Sequence, residues 1–151
     1  MKNKLRTASF GSVSSGTMRP EDLIPAFASA LDDLRLSREH RKLVTEAGKV
    51  EVFDGTIEAQ ETAQDILEDL FDALDCYAPP YAYFGAHTGD GSDYGFWLSE
   101  SFESDFDGLK VESTSDVPKG YSGEVAQVSD HGNVTLYAYS RGRSREVWSL
   151  V

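Results

Sequence analysis

Two histidines and several carboxylates stand in glycine-rich turns of this chain. Side chains of these types could bind a divalent metal or move protons. His87, Asp90 and Asp93 belong to the stretch HTGDGSDY, and Asp130 and His131 to the stretch DHGN. If the two turns met at one end of a sheet, these residues would converge. His87, Asp90, Asp130 and His131 would then offer imidazole and oxygen ligands to a small metal-dependent enzyme. The spacing lends this no support, since neither His-x-His nor His-x-x-x-His occurs. His40 and His131 read as solvated.

Other chemistry fails on inspection. Gly89 and Gly91 begin a G-x-G-x-x-G phosphate loop, but Tyr94 stands where the third glycine belongs. A strand is expected next, so no helix N-terminus would face a phosphate. Read as a calcium loop from Asp90, the stretch puts Tyr94 at a ligand position and Ser101 in place of the closing Glu. Cys76 has carboxylates and no cation near it in sequence, which blunts a thiol, and it is expected to pack at a helix end. Ser12, Ser14 and Ser15 lack the setting of a hydrolase nucleophile. No catalytic residue and no cofactor motif emerges. The bland reading of HTGDGSDY is a turn that uses Gly and Asp for backbone reasons. Gly91 and Gly132 are expected to carry positive φ there.

Charge is the stronger signal. From Val50 to Leu109 there are fifteen Asp and Glu and no Lys or Arg. The rest of the chain is mildly basic, so the net charge of −12 arises in this block. Such a balance argues against direct binding to nucleic acid or to an anionic membrane. It admits two readings: a solvated face that keeps the protein soluble, or a surface that docks on a basic partner.

These residues must be positioned by regular elements. Pro20 with Glu21 and Asp22 begins a helix carrying Leu23, Phe27, Leu31 and Leu34, which Pro25 would divide. Ser37 caps a second helix that ends at Gly48. Thr56 caps a third, with Ala63, Ile66, Leu67, Leu70, Phe71 and Leu74 as one apolar stripe. Glu61, Asp65, Glu68, Asp72 and Asp75 recur at the same spacing on another face. Beyond Pro80 the period becomes two. Tyr81–Ala86 and Gly95–Leu98 read as strands around a His87–Tyr94 loop, followed by a helical turn at Ser101–Asp107 and a short strand at Leu109–Glu112. Glu124–Ser129, Val134–Ser140 and Arg145–Val151 read as hairpin-linked strands, with Trp148 buried. Val134, Leu136 and Ala138 would face the helices. Thr135, Tyr137 and Tyr139 would face away with Tyr81 and Tyr83, making a tyrosine-rich face suited to a regulatory or scaffold module.

The expected fold is α+β: one domain over residues 1–151, with N-terminal helices on one face of an antiparallel sheet of about four to six strands. The single cysteine fits a reducing compartment, and no stretch approaches the roughly 20 apolar residues of a membrane span. No signal peptide is evident, so a cytoplasmic setting is expected.

Three runs, APPYAYFGAHTGDGSDYGFW at Ala78–Trp97, SDHGNVTLY at Ser129–Tyr137 and REVWSLV at Arg145–Val151, resemble an uncharacterised family of small bacterial and phage proteins. SGTMRPEDLIPAF at Ser15–Phe27 extends the likeness over most of the chain. The resemblance implies a single domain carried on mobile genetic elements and transfers no catalytic residue. The leading expectation is a non-enzymatic acidic protein that binds a basic protein surface. Its specific form is an inhibitor of a nucleic-acid-handling or defence enzyme, acting by nucleic-acid mimicry. Glu61, Asp65, Glu68, Asp72, Asp75, Asp90 and Asp93 would make the contact.

Overall fold

The computed structural model describes residues 7–50 and 56–150. The fold is α+β, with the long helices in the N-terminal half and mostly antiparallel sheets. The chain forms two compact units, Met1–Ser99 and Glu100–Val151.

In the first unit the order is β1 (Gly11–Ser14), α1 (Pro20–Asp32), α2 (Arg38–Ala47), α3 (Ile57–Asp75), β2 (Ala82–His87) and β3 (Asp90–Leu98). The three strands form an antiparallel sheet in the order β1-β3-β2. Thr17 prepares the start of α1: its hydroxyl accepts the Arg19 N–H at 3.2 Å and donates to Asp22 at 2.7 Å. Pro25 lies inside α1 without dividing it. A proline inside a helix costs about 3 kcal/mol or more. Leu23, Ile24, Phe27 and Leu31 are all buried by the continuous helix, at about 1.5–3 kcal/mol each, and together they outweigh that cost.

The core of this unit is built by α1, α2 and α3 with Phe84 of β2 and Tyr94 and Phe96 of β3. Ala63, Leu67, Leu70 and Leu74 bring in the stripe of α3, with Ile66 and Phe71 partly buried beside them. Phe27 sits at the meeting point. Its ring makes edge contacts with Phe71, Phe84 and Tyr94 at centroid distances of 5.0, 5.1 and 5.7 Å.

The expected His87–Tyr94 loop is mostly strand. Only Thr88 and Gly89 form the turn, and β3 begins at Asp90. The register jumps from Ala86↔Tyr94 to His87↔Asp90, so a bulge absorbs the intervening residues of β3. Gly91 does not carry positive φ, contrary to expectation, whereas Gly132 does, at 81°. On the other side of β3 the backbone of β1 passes very close. A Cβ on Gly95 would lie 2.2 Å from the Gly11 carbonyl oxygen and 2.8 Å from Ser12 Cα.

The second unit holds a short helix α4 (Phe102–Asp105), then β4 (Leu109–Val111), β5 (Gly123–Val128), β6 (Val134–Ser140) and β7 (Arg143–Leu150). Its sheet has the order β4-β5-β6-β7, antiparallel except that β4 runs parallel to β5. Phe102, Phe106, Val125, Ala126, Leu136 and Trp148 are buried. The Phe102 ring contacts those of Phe106 and Trp148 at 5.3 and 5.8 Å. The strands therefore divide between two sheets. Within the first unit, Val13 of β1, Phe84 and Ala86 of β2, and Tyr94 and Phe96 of β3 join or pack against the core of the helices, while β6 belongs to the sheet of the second unit. Alternation along β6 identifies its apolar face but carries no information about which element covers it.

Trp148 is 7% exposed and pairs with Leu136 across the hairpin. Trp148→Ala should cost about 3–5 kcal/mol in urea denaturation. A loss under about 1 kcal/mol, the scale of surface substitutions, would place it outside the core. Gly95→Ala should destabilise at least as clearly as a typical core substitution, about 1–3 kcal/mol, because β1 must move away from β3. Gly91→Ala should be close to neutral in the same assay, since nothing lies within 4 Å of its added Cβ.

Candidate interaction surface on the third helix

The helix α3 owes its start to Thr56, whose hydroxyl accepts the Ala59 N–H at 3.1 Å, and to Glu58 in the first turn. With Leu67, Leu70 and Leu74 turned into the core, the 3.6-residue period sends other positions outward. Glu61, Asp65, Glu68, Asp69 and Asp72 are all exposed. Gln64 donates to Glu68 at 3.2 Å. Among the described residues, no Lys or Arg forms an ion pair with any of these carboxylates; the two described pairs are Arg19–Glu21 and Lys42–Glu46. No basic residue stands in the last turn of α3, where the helix dipole would favour one.

A groove of about 410 Å³ runs between α2 and α3. Asp69 and Asp72 line it from α3, and Glu39 and Glu46 from α2, against the single ammonium of Lys42. His40 also borders the groove and is half-buried rather than fully solvated as expected. Its Nδ1 shares a 2.8 Å hydrogen bond with the Tyr77 hydroxyl, which also accepts the Ser37 N–H at 3.3 Å. These bonds tie the start of α2 to the residues that follow α3. Cys76 is exposed at the C-cap of α3 rather than packed. It follows Asp72 by four residues and so continues the polar face.

Two carboxylates grouped with the row by sequence make hydrogen bonds between elements of the fold. Asp75 accepts the Phe84 N–H at 3.0 Å, fastening the end of α3 to β2. Asp93 accepts the Ser12 hydroxyl at 2.5 Å, fastening β3 to β1. Neither bond is legible in the sequence, because both join residues from separate elements. Asp90 is exposed on β3, where one of its oxygens accepts the Ser92 N–H at 3.0 Å and the Ser92 hydroxyl at 2.9 Å. The backbone bond, then the hydroxyl bond, and to a lesser degree the neighbouring His87, hold this carboxyl below its ordinary pKa.

The two histidine-bearing turns lie in different units, His87 in the first and His131 in the second. His87 Nδ1 accepts the Gly89 N–H at 2.9 Å, and its ring stands edge-on to Trp97 at 4.8 Å. Asp130 and His131 lie in an exposed turn of the second unit. Among the described residues, no group of three or more His, Cys, Asp or Glu could hold a metal ion. A phosphate loop is excluded by the strand that follows Gly89, as the sequence indicated.

Of the expected tyrosine face, Tyr137 and Tyr139 are joined by Tyr121, with ring centroids 6.2 and 6.3 Å apart along the series Tyr121–Tyr139–Tyr137. Tyr83 belongs to the other sheet, where its hydroxyl donates to the Ala86 carbonyl at 3.0 Å; Tyr81 precedes that strand with φ of 66°. No described helix is long and apolar enough to cross a membrane. Comparison of the chain with protein-family models, curated proteins and solved structures finds no match.

The Asp90 bonds set a pH dependence. A carboxyl whose folded pKa is depressed adds stability above its unfolded pKa and loses it as pH falls through the folded value. Carboxyl chemical shifts should therefore show Asp90 titrating below a free aspartate, and Ser92→Ala should raise its midpoint. An unchanged midpoint in that variant would remove the Ser92 hydroxyl as a cause and leave the Ser92 N–H.

Proposed function

We propose that the protein is a non-enzymatic binding protein that docks on a basic protein surface through the exposed carboxylates of α3. The observation that carries this reading is the row Glu61, Asp65, Glu68 and Asp72, exposed on a rigid helix without an intramolecular cation among the described residues. Steps of three and four residues space these carboxylates roughly 4.5–6 Å apart along the axis. That spacing is of the same order as the rise of about 3.4 Å per phosphate along one DNA strand. A basic groove that binds nucleic acid would thus meet a similar series of negative charges. Asp69 and Asp72 continue the surface into the groove beside α2, where carboxylates outnumber cations.

The specific form of the proposal is an inhibitor of a nucleic-acid-handling or defence enzyme, acting in a cytoplasmic setting. Membership of the family of small bacterial and phage proteins, proposed on the runs APPYAYFGAHTGDGSDYGFW, SDHGNVTLY and REVWSLV, would support that form. The partner contact uses Glu61, Asp65, Glu68 and Asp72, with Asp69 added and Asp75 and Asp93 removed because the fold already engages them. Asp90 stands on β3 and is secondary to the row. The reading needs no cofactor.

The test starts with capture of partners from host lysate at low and high salt. Association kinetics are then measured with the captured partner. The comparison is between the parent and a variant carrying Glu61→Gln, Asp65→Asn, Glu68→Gln and Asp72→Asn. The on-rate should fall in the variant at low salt, because long-range attraction governs encounter. The difference should shrink as salt shortens the Debye length from about 10 Å at 0.1 M to about 3 Å at 1 M. Equal on-rates at low salt would reduce the row to a solubility feature. The variant should be as stable as the parent or more so, by a few tenths of a kcal/mol per relieved like-charge pair. A clear loss of stability would mean that the row serves the fold.

A further inference from the structure

We draw no further inference here: the strongest candidate, the half-exposed aromatic face that Tyr121, Tyr137 and Tyr139 form on the four-stranded sheet of the second unit, carries nothing because nothing in the structure shows what covers it.

Discussion

The ring of Phe27 is wholly buried and touches the rings of Phe71, Phe84 and Tyr94. Through it α1, α3, β2 and β3 meet at one point. Edge-to-face pairs of this kind contribute about 0.5–1.5 kcal/mol each beyond the area they bury. Their directionality has a further consequence. Fixing Phe71 against Phe27 fixes the rotation of α3 about its own axis. Leu67, Leu70 and Leu74 then point inward, and Glu61, Asp65, Glu68 and Asp72 must point outward. The chemistry of the surface is therefore set from inside the core. Asp75 tightens the same arrangement, since its bond to the Phe84 N–H joins the end of the helix to the strand that carries one of the rings.

Magnitudes show why so acidic a helix holds. Glu61 with Asp65, Asp65 with Asp69, and Glu68 with Asp72 are like-charge neighbours at four-residue spacing. Each pair costs a few tenths of a kcal/mol. Leu67, Leu70 and Leu74 each contribute about 1.5–3 kcal/mol by burial, so the apolar stripe decides the outcome. The surface is free to carry charge that stability does not require. A carboxylate there that has no intramolecular cation keeps its field for an external one. The contrast with Asp93 and Asp75 is physical: a carboxylate accepting a hydrogen bond within the fold has much of its acceptor capacity engaged already.

The helices were legible because their signals are local. Thr56 and Ser37 cap as their types suggest, and the stripe from Ala63 to Leu74 follows the helical period. The hairpin from Val134 to Leu150 was legible for the same reason, with turn residues between alternating strands. What stayed hidden is long-range. The pairing of β1, only Gly11–Ser14, with β3 joins residues some eighty positions apart, and the division of the strands into two sheets is likewise not a local signal. The acceptance of Ser12 by Asp93 and of Phe84 N–H by Asp75 crosses between elements, so charge spacing grouped these residues with the exposed row. Pro25 does not divide α1 because its local cost is real but smaller than the burial that surrounds it. Residue type alone groups Tyr83 with Tyr137 and Tyr139, but Tyr83 stands on the three-stranded sheet and the other two on the four-stranded one.

The claim that joins core to function is that α3 presents its outward carboxylates to a basic partner. Carbodiimide labelling of Asp and Glu, read by mass spectrometry with and without the captured partner, tests it most directly. The account predicts that Glu61, Asp65, Glu68 and Asp72 are labelled readily in the free protein and protected in the complex. Unchanged labelling of those four residues in a saturated complex, with protection confined to carboxylates of the second unit such as Glu146, would contradict it.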